Sequence, residues 1–198
     1  MTRLALVRHG QTDWNLERRI QGSSDIPLNA VGRAQARRTS DFLAGRHWDA
    51  VFSSPLSRAW ETAEIIATGL GLASPTAVQG IQERSYGGAE GLTSAEITAK
   101  YPGDAAIPGR ESRKDVVARA LPALLRLAEE HPRCALVVVS HGAVIGSLVR
   151  HLTDHALPGP GNLIANGSVH EFLYRRGALV LDKFNQTPDD DVVAAAAP

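Results

Sequence analysis

Ala135-Leu136-Val137-Val138-Val139 is an unbroken apolar run, too short for an ordinary helix and rich in β-branched residues. That is the pattern of a strand covered on both faces. Residues 3–7 and 50–53 read the same way, and 76–81 is a further strand candidate. Helical patterns lie between them. Residues 29–44 predict a helix stopped by Gly45, and Ser54 is the expected N-cap of another, with Pro55 in its first position. Leu56, Ala59, Trp60, Ala63, Ile66, Ala67 and Leu70 give that helix an apolar face. Thr93-x-x-Glu96 and Ser112-x-x-Asp115 are capping boxes for two more. Pro122, inside the second of these, predicts a kink or a later start, because proline lacks the N–H and clashes with the preceding turn. Residues 143–152 resume a helical pattern, and 169–173 with 178–184 predict a closing hairpin around Arg176-Gly177. Strands alternating with helices predict an α/β fold, a three-layer α/β/α sandwich with a mostly parallel central sheet.

The 198 residues suit a single domain over 1–184, with 185–198 expected to be a flexible tail of three Asp and an alanine run. Twenty-one Lys+Arg balance 21 Asp+Glu. A neutral chain has no global pull on nucleic acid or anionic lipid, so neither is an expected partner and any anion recognition must be local. The single cysteine, Cys134, excludes an internal disulfide framework. The N-terminal residues have too few apolar positions for a signal peptide, and no apolar stretch approaches the roughly 20 residues of a bilayer helix. A cytoplasmic setting is expected. Eighteen of the basic residues are Arg, so an arbitrary Arg says little and only its position counts.

Ligands of open parallel sheets bind at the carboxyl ends of the strands. There the first strand runs into Arg8-His9-Gly10-Gln11-Thr12, the second into Ser53-Ser54-Pro55-Leu56-Ser57-Arg58, and the strongest into Ser140-His141-Gly142. Two histidines and two arginines converge on one edge, which suits phosphoryl transfer. Arginine forks match phosphate oxygens, a helix N-terminus adds N–H donors, and a neutral imidazole nitrogen can attack phosphorus. Gly10 and Gly142 let backbone and ligand approach each histidine closely. Glu83 is a candidate general acid for the leaving oxygen, against the plain alternative of a loop glutamate paired with Arg84.

Other patterns carry less. His151 and His155 are four apart on an expected helix, but Leu152 stands where H-E-x-x-H has glutamate, so no metal site is expected. His47, His131 and His170 have no partner pattern, and Ser140 lacks the first glycine of a nucleophile elbow. No phosphate-binding G-x-x-x-x-G-K-[ST] loop exists. Trp14, Trp48 and Trp60 are scattered, without the basic–aromatic interleaving of a nucleic-acid surface.

Taken in order, Arg8-His9-Gly10-Gln11-Thr12 with Asn15, Gln21-Gly22, Asp25-x-Pro27-Leu28, Gly32-x-x-Gln35-Ala36, Ser53-Ser54-Pro55-Leu56-x-Arg58-Ala59-x-x-Thr62-Ala63, Glu83, Gly109-x-Glu111-Ser112, Ser140-His141-Gly142 and Asn166-Gly167-Ser168 span most of the chain. In this order and spacing the chain resembles the histidine phosphatase superfamily, the phosphoglycerate mutase-like proteins. The resemblance implies that His9 is the phosphorylated nucleophile and that Arg8, Arg58 and His141 form the phosphate pocket with it. It implies that Glu83 donates a proton to the leaving group and that Asn15, Gln21 and Gly22 add substrate or phosphate contacts. It implies the mostly parallel sheet between helices, no metal and no cofactor.

Glu83-Arg84-x-Tyr86-Gly87 with Gly91-Leu92 is similar to the mutase version of that motif. Ser94 stands where mutases have a lysine, Ala143 stands where they have asparagine, and the stretch between Tyr101 and Glu111 is too short for their insertion. These departures favour a histidine acid phosphatase-type phosphoric monoester hydrolase acting on a small phosphorylated metabolite. A 2,3-bisphosphoglycerate-dependent mutase and a non-catalytic phospho-ligand binding module are the alternatives. A homodimer remains open.

Overall fold

A computed structural model describes residues 1–159 and 161–188. In chain order the elements are β1 (Thr2–Arg8), α1 (Asp13–Leu16), α2 (Ala30–Ala44), β2 (Ala50–Ser53), α3 (Ser57–Leu70), β3 (Thr76–Ala77), α4 (Ser94–Lys100), α5 (Arg113–Glu130), β4 (Ala135–Ser140), α6 (Gly142–Leu152), β5 (Val169–Arg175) and β6 (Ala178–Gln186). They form one six-stranded sheet of order β3-β2-β4-β1-β5-β6. The first four strands in that order run parallel; β5 is antiparallel to β1, and β6 to β5. The mostly parallel α/β/α expectation holds.

Alternation of side chains along each strand divides the apolar runs between two faces. Leu4, Leu6, Leu136, Val138 and Phe52 point toward α5 and α6, where Val116, Leu124, Ile145 and Leu148 complete a buried cluster. Ala5, Val7, Val137, Val139 and Val51 face α2 and α3, meeting Leu43, Ala59, Ala63 and Ile66. Each Leu, Ile or Val so enclosed contributes about 1.5–3 kcal/mol. This two-sided cover is why the central strands are apolar at every position.

Five expectations need adjusting. The helix after β2 begins at Ser57 with Leu56 as N-cap, not at Ser54-Pro55. The Ser54 hydroxyl is fully buried and bonded to His141 Nε2 at 2.8 Å, so it is committed elsewhere. The strand expected over 76–81 is reduced to Thr76–Ala77, with Val78 N–H still donating to Ser53 O at 2.8 Å before the chain turns away at Gly80 with φ +94°. Helix α5 starts at Arg113 and runs through Pro122, so there is no later start. Helix α6 ends at Leu152, which leaves His155 beyond the helix that was expected to carry it with His151. Strand β6 continues to Gln186, two residues into the expected tail, while 189–198 lie outside the described residues. Among the described residues no helix is long and apolar enough to cross a membrane.

Candidate active site

The sheet register sets the site. Arg8 lies opposite Ser140, and Ser53 opposite Val139, so the carboxyl ends of β1, β2 and β4 emerge side by side. Pairing continues one residue further: His9 N–H donates to Ser140 O at 3.1 Å, and Ser54 N–H to Val139 O at 2.9 Å. The turns holding His9, Ser54 and His141 are therefore extensions of the central ladder.

His9 is 2% exposed, and its Nδ1 lies 2.7 Å from Gly10 O. A carbonyl can only accept, so Nδ1 carries the proton and Nε2 keeps its lone pair. Burial, reinforced by the Arg8 and Arg58 charges, holds this imidazole well below its ordinary pKa. The imidazole is neutral at neutral pH. The His141 ring lies beside it, with centroids 5.2 Å apart and planes inclined by 59°. Burial first, then Arg58, also keeps His141 neutral.

Arg58 is fully buried; its Nη1 and Nη2 donate to Ser24 O and Gly22 O, both at 2.8 Å. Half-buried Arg8 donates from Nη1 to Ile164 O at 2.5 Å. Neither arginine forms an ion pair among the described residues, and the Nε of each is buried without a hydrogen bond. Burial lowers the pKa of both guanidinium groups, with the Glu83 charge opposing it; arginine stays charged nonetheless. Two guanidinium groups with buried Nε atoms and no ion pair among the described residues are costly in isolation and are suited to hold an anion.

Glu83 lines the same cavity. Its Oε1 accepts from Arg84 N–H at 2.8 Å and its Oε2 from Ala143 N–H at 3.2 Å, in the first turn of α6. The Arg84 side chain does not pair with it; it donates to Glu111 O at 2.6 Å and lies over the Tyr86 ring. Arg119 holds the loop that carries Glu83. It donates to Gly80 O, Gln82 O and Glu83 O at 2.7, 2.8 and 3.2 Å while paired to Glu111 at 2.7 Å. That clamp explains the Glu111 of the sequence motif, and no local pattern pointed to Arg119.

Asn15 lines the cavity, and its Oδ1 accepts from Thr12 N–H at 3.2 Å and from Asn166 Nδ2 at 3.3 Å. Asn166 also donates to His9 O at 2.9 Å, so this pair braces the His9 backbone. Gln21 is 8% exposed and its Oε1 has no hydrogen bond. Gly22 sits at φ +57°, where its carbonyl meets Arg58. A Cβ on Gly142 would stand 3.2 Å from Arg8 Nε.

Arg8, His9, Arg58, Glu83, Asn15, Gln21, Gly22 and Gly142 thus share one cavity of about 430 Å³. His141 lies just behind that wall, against His9. The sequence reading missed Arg19, Pro158, Asn162, Leu163 and Ile164, which also line the cavity. Arg19 is neutralised by Glu17 and Glu96, whereas Arg113, at the mouth, donates to Ser147 Oγ at 3.3 Å and pairs with no carboxylate among the described residues. His47 pairs with Asp49, His131 packs on Phe52, and His170 is buried, all away from the cavity.

The family model of the histidine phosphatase superfamily (branch 1) matches residues 4–187. The chain belongs to this superfamily. Among its histidine phosphatase relatives, the uncharacterized phosphatase PhoE of Bacillus subtilis is 40% identical over 153 residues, 77% of this chain and 78% of that protein. A 2,3-bisphosphoglycerate-dependent phosphoglycerate mutase of Gloeobacter violaceus is 34% identical over 173 residues, 80% and 78% of the two chains. The mycobacterial glucosyl-3-phosphoglycerate phosphatase, solved in complex with VO3, superposes with a TM-score of 0.83 at 31% identity, over 93% of this chain and 99% of that one.

Proposed function

We propose that this chain is a metal-independent phosphomonoesterase of small phosphorylated metabolites, working through a covalent phosphohistidine at His9. The observation that carries this is the pair of guanidinium groups of Arg8 and Arg58, their Nε atoms buried and neither in an ion pair among the described residues, beside a neutral imidazole whose Nε2 keeps its lone pair. In the first step Nε2 bonds to phosphorus as the ester P–O bond breaks, and Glu83 gives a proton to the leaving oxygen. In the second, water attacks phosphorus, Glu83 takes its proton, and the N–P bond breaks to release inorganic phosphate. Charge on the transferring group is stabilised throughout by Arg8, Arg58 and His141.

Hydrolysis is favoured over the mutase reaction by Ser94, exposed at the start of α4, and by the methyl group of Ala143 in the cavity wall. Neither adds a cationic donor to the cavity for a second phosphate. Arg113 supports leaving groups that carry a carboxylate. Acid-quenched protein incubated with labelled phosphomonoester and chelator should hold acid-labile phosphate, and His9→Ala should hold none. Turnover retained by His9→Ala would overturn the reading. Phosphate bound without release between pH 5 and 8 would favour the binding module. Interconversion of 2- and 3-phosphoglycerate faster than hydrolysis would favour the mutase.

A further inference from the structure

The two neutral histidines are held by different partners. His9 faces a carbonyl, which dictates its tautomer outright; His141 faces a hydroxyl, Ser54 Oγ, which can donate or accept. The surroundings of Ser54 decide between the two. Its Oγ receives the Leu56 N–H at 3.4 Å, and among the described residues the acceptor within hydrogen-bond distance of its own proton is His141 Nε2 at 2.8 Å. Were Nε2 protonated instead, the Ser54 O–H, in a residue 0% exposed, would be a buried donor without an acceptor. The serine proton therefore goes to Nε2, and the ring proton to Nδ1. Nδ1 is the one polar atom of this ring with no hydrogen bond, in an imidazole close to His9, Arg58 and Arg8.

We infer that Ser54 is a positioning residue that fixes His141 as its Nδ1–H tautomer, so that the ring presents a donor to the transferring phosphoryl group. The inference rests on the proposed phosphatase reading, since only an anion beside His9 makes use of that donor. It also accounts for Ser54 being withdrawn from capping α3, a task left to Asp25. With Nε2 protonated the ring would turn a lone pair toward the phosphoryl oxygens and repel them.

Histidine-ring ¹⁵N chemical shifts of the full chain test this directly. The expected result is a neutral His141 with its proton on Nδ1, and a population shift toward Nε2–H in Ser54→Ala. Ser54→Ala should also lower kcat by roughly tenfold or more, since a donor to a developing anion is lost, with little change in KM. Ser54→Thr, which keeps the hydroxyl, should restore both signals. A wild-type His141 protonated on Nε2 overturns the inference even if no Ser54 variant folds. So does a Ser54→Ala protein with unchanged tautomer and kcat. Failure of the phosphatase reading is separately visible as wild-type protein that forms no phosphohistidine while its tautomer is still measurable.

Discussion

The Asp25 carboxylate closes the N-terminus of the helix that carries Arg58: one oxygen, Oδ1, accepts from Ser57 N–H at 2.8 Å and from Ser57 Oγ–H at 2.7 Å. Leu56, the residue in the capping position, has no side chain able to do this. A loop 32 residues upstream therefore supplies the cap and brings with it Gly22 and Ser24, whose carbonyls hold the Arg58 fork. Asp25→Ala should cost about 1 kcal/mol of stability, as other cap losses do, and raise the KM for a phosphomonoester. Asp25→Asn, which keeps the acceptor oxygen, should behave close to wild type. Urea unfolding and steady-state kinetics on the three proteins check both halves.

Gly10 and Gly32 meet backbone to backbone. A Cβ on Gly10 would run into the Gly32 carbonyl, and one on Gly32 into the Gln11 carbonyl. Neither neighbour is a flexible side chain that can swing away. Gly10→Ala should lose roughly 1–3 kcal/mol through overpacking and lower kcat, because the Gly10 carbonyl sets the His9 tautomer. Wild-type stability in this variant would show that the approach of the two loops is adjustable.

Glu83→Gln keeps an acceptor oxygen for the Ala143 and Arg84 N–H groups but cannot deliver a proton. Hydrolysis of alkyl phosphates should fall by about 10²–10⁴. An aryl phosphate with an acidic leaving phenol needs little protonation and should suffer far less. Equal losses on both substrates would remove Glu83 from the general-acid role.

Three buried histidines resist protonation. His9 and His141 are held well below the ordinary imidazole value, chiefly by burial, and burial pushes His170 down to about 3. The unfolded chain takes up these protons near pH 6.5, whereas the folded chain does not. Their contribution is thus complete above about pH 6.5 and is lost as pH falls below it, by up to about 1.4 kcal/mol per pH unit for each histidine. His170 accepts the Asn185 N–H on Nδ1 at 3.1 Å and sits 3.0 Å from Ser168 Oγ on its other nitrogen, so protonation would break the first bond. Urea unfolding at pH 7, 6 and 5 should show steadily falling stability, with a shallower slope for His170→Gln. A flat profile would contradict the buried neutral state.

Elements with a local signal were legible. The capping boxes at Thr93 and Ser112 form as their spacing predicts, and Arg176-Gly177 turns the β5–β6 hairpin with both residues at positive φ. Ser54-Pro55 carried an equally good local signal and failed, because the hydroxyl was taken by a histidine 87 residues away. Residues 79–81 failed for a similar reason. Ile81 is buried against the α5–α6 layer, and the Ser140 hydroxyl draws the Ile81 carbonyl out of any strand pairing.

Residue type and order alone determined the fold class and the superfamily: the strand patterns, and the His and Arg residues that end them, are encoded within a few neighbouring positions. Only the tertiary structure decided which proton each histidine keeps, which loop caps the Arg58 helix and which arginine clamps Glu83. Those outcomes depend on hydrogen bonds between groups tens of residues apart. A buried donor or acceptor must be satisfied by whatever the fold brings within 3 Å, and no local pattern records that partner.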